Sequence, residues 1–216
     1  MGFIHEVKQG EHLAGIAAKF GFRRFLTIWN HPENAALKEL RKNPNILFPG
    51  DRLFIPDRTP KEEAVPTDRL NRFVAAVDRL VLRIKVLEQN DKPIHGDCSL
   101  VVGSSATQMP QKGDIFEGAI DTSVEVAELD FPISPAEKLR PKIALSVGHL
   151  DPVDTLHGQQ QRLNNLGYFA GFHPLEKPND QFKWAVEEFQ CDHPPLVVDG
   201  KLGPQSRQQL EIAYGS

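Results

Sequence analysis

Hydrophobic and polar positions along the chain change period three times. From Phe3 to Val7 the pattern is that of a short strand, and Gly10-Glu11 turns the chain. Leu13, Ile16, Ala17 and Phe20 then recur at helical spacing, with Gly21 a natural stop. Phe25, Ile28 and Trp29 predict a second helix over Arg24 to Trp29, and Asn34 to Arg41 predicts a further helical turn. A turn-rich stretch over 43–51 leads to a closing strand from Arg52 to Ile55, ended by Pro56. The run "DRTPKEEAVPTDR" has little to bury and predicts a linker over 58–79. Over 80–148 the period becomes two. "LVLRIKVLE" alternates, "NDKP" (90–93) turns, and "CSLVVG", "IFEGAI", "SVEVAEL" and "KIALSVG" follow as short strands. Over 149–216 the period returns to helical. Asp151 or Asp154 is placed to cap a helix through Leu156, Gln160, Leu163 and Leu166, with Gly167 in the left-handed terminating position. Phe182, Ala185, Val186 and Phe189 form a second apolar face, and Pro204 opens a third helix carrying Ser206, Leu210 and Ala213. The expected class is α+β and multidomain: a βααβ unit (1–57), a linker (58–79), an antiparallel β-sandwich (80–148) and a three-helix bundle (149–216).

Specific segments carry resemblances. "VKQGEHLAGIAAKFG" (7–21) and "NPNILFPGDRLFIP" (43–56) resemble the opening and closing segments of a LysM module. The chain departs from that pattern in a longer stretch between Trp29 and Asn43, and in His12, where a small hydroxyl residue is usual. "QQQRLNNLGYFAG" (159–171), "WAVEEFQ" (184–190) and "VDGKLGPQSRQQL" (198–210) resemble the three signature segments of a helical peptidoglycan-binding family. Here "FHPLEKPND" (172–180) replaces that family's Asp-Gly-x-x-Gly turn. "KVLEQNDKPIHGDCSLVV" (85–102) resembles the opening of prealbumin-like or surface-protein β-sandwich repeats. The order of segments is similar to proteins found with type VI secretion and other contractile injection systems.

These resemblances imply recognition of peptidoglycan, or of its GlcNAc-containing glycan, without catalysis, with a secretion-machine protein as a second partner. For the LysM-like part they imply a groove between Gly10, Glu11, His12 and Leu13 on one side and Asn45, Ile46, Leu47 and Phe48 on the other. In the C-terminal part Tyr168 is the candidate contact, with Phe169 and Trp184 as further possible lining. Aromatics at helical spacing more often pack inside, which is the expectation for Trp184 and Phe189. Leu13 and Leu47 are equally well read as core.

Composition narrows the classes. Of 216 residues, 40% are hydrophobic and 25% charged, as in ordinary globular proteins, and the net charge of −4 argues against nucleic acid as a main partner. No stretch approaches the roughly 20 apolar residues of a membrane span. The first residues show no basic-then-apolar secretory signal, and Glu6 stands where a myristoylation motif needs Ser or Thr. The expected route is cytoplasmic synthesis and delivery to the periplasm or wall without a classical signal.

An enzyme is a competing class, since wall-binding modules often flank one. "IHGDCS" (94–99) resembles the His-Gly-Cys segment of L,D-transpeptidases, in which a thiolate beside a histidine attacks a peptide carbonyl. Asp97 interrupts that motif, and Ile94 replaces a hydroxyl residue. The simpler reading is that Cys98 packs inward with Leu100, and that Cys98 and Cys191 are free thiols. His149, Asp151, His157, His173, Cys191 and His193 cluster in the last third, yet lack the paired spacing of a metal site. No metal or cofactor is expected. No Glu stands in an apolar context that marks a general acid. Two alternatives remain: a wall-degrading effector with an unrecognised central domain, and a protein–protein adaptor whose wall-binding modules have degenerated. His12 and the 172–180 stretch favour the adaptor over a simple wall-binding reading.

Overall fold

The computed structural model describes residues 2–59, 62, 64–72, 80–88, 92–131 and 140–216. Among these residues it is a mixed α/β protein with antiparallel sheets and six α-helices. Strands β1 (Phe3–Glu6) and β2 (Arg52–Ile55) pair antiparallel, Phe3 opposite Ile55. Between them run α1 (Leu13–Lys19), α2 (Leu26–Trp29), a 3-10 turn (Pro32–Asn34) and α3 (Ala35–Arg41). Val7, Leu13, Ile16, Ile28, Trp29, Leu47, Leu53 and Ile55 close one apolar core. Asn34 is buried at its centre: its amide donates to Ile28 O (2.9 Å) and Phe54 O (2.8 Å) and accepts from Phe54 N (2.8 Å), tying the helices to β2. Gly21 is left-handed at φ 74°, which lets Phe22 N reach back to Ala17 O and stop α1 where the sequence predicts.

In the linker region, residues 64–70 form neither helix nor strand and are exposed, Leu70 to 98%. Part of the predicted linker, and Asn90 and Asp91 of the predicted turn, lie outside the described residues.

The strands that follow are β3 (Leu80–Ile84), β4 (Cys98–Val102), β5 (Ser105–Met109), β6 (Gln111–Lys112), β7 (Ile115–Ile120), β8 (Val126–Asp130) and β9 (Lys142–Ser146). They form two antiparallel sheets, β3-β7-β6 and β5-β4-β8-β9. Inward residues of both sheets share a core, with Phe116 and Ile120 from one and Cys98, Leu100, Met109 and Leu129 from the other. Strands β5 and β6 are additions to the sequence pattern, and β8 begins at Val126 rather than Ser123.

The last helices are α4 (Leu156–Asn165), α5 (Asp180–Asp192) and α6 (Pro204–Tyr214). Their core holds Leu163, Ala170, Phe182, Ala185, Val186, Phe189 and Leu210. The cap of α4 is a correction: Thr155, not Asp151 or Asp154, accepts from Gly158 N (3.0 Å). Asp151 is buried and paired instead with His157 Nδ1 (2.8 Å). Gly167, at φ 98°, terminates α4 in the predicted position, with Tyr168 N bonded to Leu163 O. Arg162 is fully buried. It donates through Nη1 to Asp151 O (2.7 Å) and Gly158 O (2.9 Å), and through Nε to Ser216 O (3.1 Å).

Candidate functional site

The two loops of the predicted N-terminal groove are neighbours: Leu13 N donates to Pro44 O. Of the two readings open for Leu13 and Leu47, core and groove lining, the structure has both residues buried. Leu13, Ile46 and Leu47 are buried, because α1 is amphipathic and the 46–47 pair continues its apolar face, so these residues present backbone rather than side chains. Asn45 is exposed, and its N–H is turned back to Asn43 Oδ1 (2.9 Å). Phe48 is half-buried and lies over the Arg41 guanidinium, 5.6 Å from ring centre to Cζ. Arg41 holds Asp51 by two bonds of 2.8 and 3.0 Å, which raises its own pKa further, and Asp51 accepts from Phe48 N (2.8 Å).

Glu11 faces its own unit. Burial alone would raise its pKa, but bonds from Lys19 Nζ (2.9 Å), Lys8 N (3.0 Å) and His5 Nε2 (2.7 Å) outweigh it and hold the carboxyl at about 2. His12 explains the absent hydroxyl residue. Its Nδ1 accepts from Gly15 N (3.2 Å) and so caps α1, the task Ser or Thr performs elsewhere. An accepting Nδ1 leaves the proton on Nε2, on the side of the Thr122 carbonyl. Burial lowers the His12 pKa, partly offset by that carbonyl.

Gly10 and His12 also meet the residues after β9. A Cβ on Gly10 would lie 2.9 Å from the His149 ring, and one on Gly148 would lie 2.7 Å from Gly10 O and 3.0 Å from His12 Cδ2. Both glycines are left-handed, at φ 83° and 79°, so the close approach needs glycine twice over. A Cβ on Gly15 would stand 3.2 Å from Thr122 O, and Arg41 Nη1 lies 3.6 Å from Asp154.

The C-terminal part places its aromatics unevenly. Tyr168 is half-buried, edge-on to Phe189, and donates its hydroxyl to Asp192 (3.0 Å). Phe189 is core as expected, but Trp184 is not: it is 66% exposed. Phe169 and Phe172 are exposed too, Phe172 to 88%, and their rings meet edge to face at 4.6 Å. The turn that presents them is rigidly held. Gln160 Nε2 donates to Ala170 O, Gly171 O and His173 O, while Asn164 donates to Gly171 O and accepts from Ala170 N. Gln181 of α5 packs on Gly171, and Trp184 lies one turn further along that helix face. The "VDGKLGP" loop is organised by buried Gln190. Its oxygen accepts from Asp199 N (2.9 Å) and Gly200 N (3.1 Å), and its nitrogen faces Asp199 Oδ1, Lys201 O and Ser206 Oγ.

The transpeptidase-like residues do not form a nucleophile pair. Cys98 lies in the sheet core, and burial, against an opposing Arg140 and with a contribution from Asp130, pushes its thiol up to about 11. His95 is exposed and bonded to Gln111 (2.8 Å). Among the described residues no group of three or more His, Cys, Asp or Glu is arranged to hold a metal ion, and no helix is long and apolar enough to cross a membrane. No family model, curated protein or solved structure matches the chain.

Proposed function

We propose that this protein is a non-catalytic binder of bacterial peptidoglycan, with a LysM-like unit at its N-terminal end, a central β-sandwich and a three-helix peptidoglycan-binding unit at its C-terminal end. The observation that carries the reading is the exposed aromatic surface of Phe169, Phe172 and Trp184. Large exposed aromatics, two of them at a firmly bonded turn and Trp184 on α5, mark a binding surface, since their apolar faces otherwise stand in water. Flat aromatic faces suit the C–H faces of pyranose rings. The site therefore moves from Tyr168, whose hydroxyl and ring are occupied within the unit, to its neighbours. The high thiol pKa of Cys98 speaks for a structural role of that residue. The order of units supports an accessory role in a contractile injection or type VI secretion machine.

A second reading, the protein–protein adaptor, draws on one observation: His12 is buried at 5% exposure and part of the N-terminal groove is covered by the protein's own residues. Co-sedimentation of the full chain with purified sacculi separates the two. The binder reading expects retention that falls at least about tenfold, one such factor being about 1.4 kcal/mol, in the double variant Phe172→Ala/Trp184→Ala. Absence of retention by the folded, unmodified chain would leave the adaptor.

A further inference from the structure

The N-terminal groove already has an occupant within the chain. Its first wall, Gly10 to Leu13, lies against Gly148 and His149 at distances that only glycine permits. At its second wall, Phe48 covers Arg41, and Arg41 faces Asp154 at 3.6 Å. The helix behind the first wall, α1, meets the Thr122 carbonyl through His12 and Gly15. The stretch 148–154 thus touches the first wall directly and, through Asp154, the Arg41 guanidinium that Phe48 of the second wall covers.

The character of these contacts decides whether the cover is permanent. Among the described residues they include glycine backbone, two imidazoles, a carbonyl and one long ion pair whose Asp154 side chain is 56% exposed. The apolar cores on the two sides are separate: the first ends with Leu53 and Ile55, and the last begins with Val153 and Leu156. Polar contacts between units with separate cores open far more readily than a shared core would.

We propose that residues 148–154 act as a built-in competitor for this groove, so that a glycan enters only when the segment withdraws and the N-terminal and C-terminal units part. This rests on the reading of the groove as a glycan site. Occupied in cis, the groove binds sugar with an affinity reduced by the fraction of molecules in which it is open. Wall binding through the aromatic surface of the C-terminal unit does not require that opening. The chain would therefore engage the wall in two steps, first through Phe169, Phe172 and Trp184, then through the uncovered groove.

The test uses the full chain and a double variant, His149→Ala/Asp154→Arg, which alters only the covering side. Chitotetraose is titrated by calorimetry, and hydrogen exchange is followed over 146–155. If one molecule in ten or fewer is open, the variant binds about tenfold or more tightly. Saturating sugar raises exchange over 148–154 in the unmodified chain, a readout that stands even where the variant fails to fold. Binding by the unmodified chain with unchanged exchange over 148–154 overturns the competition while leaving the groove a sugar site. A lack of binding by both folded proteins at millimolar sugar overturns the groove assignment and the competition with it, while sacculus retention through the aromatic surface is decided separately.

Discussion

Replacing Gln190 by Met keeps the length of the side chain and removes its polar atoms. Asp199 N and Gly200 N then lose their acceptor, and Lys201 O and Ser206 Oγ lose a donor. Gly200 is buried, so its N–H has no water to turn to, whereas Asp199 is exposed and recovers part of its loss. At about 1–3 kcal/mol for each buried group left unsatisfied, the expected cost is about 2–5 kcal/mol. A unit of this size has roughly 3–10 kcal/mol in total, at about 0.05–0.15 kcal/mol per residue, so the loop and α6 should open locally. The companion variant Gln190→Glu sharpens the argument. A carboxylate still accepts from both N–H groups, but it faces the Asp199 carboxylate and the Lys201 carbonyl where the amide nitrogen stood. Its pKa must rise in the folded state. A raised pKa stabilises below the unfolded value and is lost as pH climbs through the folded one, so Gln190→Glu recovers towards the unmodified protein on acidification. Hydrogen exchange of the α5 and α6 amides across pH measures both effects. A loss under about 1 kcal/mol in Gln190→Met, or a pH-independent Gln190→Glu, would refute the central role given to this amide.

The His12 pKa is lowered by folding, so the unfolded chain takes up its proton first as pH falls. The stability this residue contributes is whole above the ordinary histidine value, about 6.5, and is lost as pH falls from there towards the lowered folded value. Urea unfolding between about pH 7.5 and 5 should show that loss in the unmodified chain but not in His12→Ser, which keeps a cap without titrating; equal slopes would dismiss it. Trp184→Ala should change stability by no more than about 0.5 kcal/mol, and Phe189→Ala should cost about 3–5 kcal/mol, as measured by thermal or urea unfolding; the reverse ranking would contradict the packing of α5. Iodoacetamide should label exposed Cys191 promptly and Cys98 only on unfolding, and Cys98→Ala should leave sacculus retention unchanged.

The elements with strong periodicity were legible from sequence. The apolar stripe Phe182, Ala185, Val186, Phe189 becomes the buried face of α5, and Gly21 and Gly167 end their helices where expected. The misreading of Trp184 had a visible remedy. At 3.6 residues per turn it stands about 200° from Phe182, on the opposite side of the helix. Strand β5 escaped because "SATQM" is small and polar, and only its pairing with β4 and the burial of Met109 make it a strand. By residue type Asp151 and Asp154 are as good caps as Thr155, and only the Asp151–His157 pair removes one of them. The cover over the groove could not be read at all. It joins residues more than a hundred positions apart, and glycines at 10, 15 and 148 carry no sign of what they face.

Arg162 has a consequence for how the last unit can be moved. One guanidinium binds the backbone at Asp151 and at Ser216, so the two ends of that stretch stand within the span of a single side chain. A segment whose ends meet can be spliced into a surface loop of another protein with little loop-closure entropy, because the host chain leaves and returns at almost the same point. The same proximity suits it to circular permutation: a short bridge from Ser216 to the residues before Asp151 would let new ends be cut elsewhere, for instance in the exposed 176–178 stretch. Such a cassette would carry the exposed rings of Phe169, Phe172 and Trp184 without the residues at 10–13 and 45–48 or the contacts that cover them.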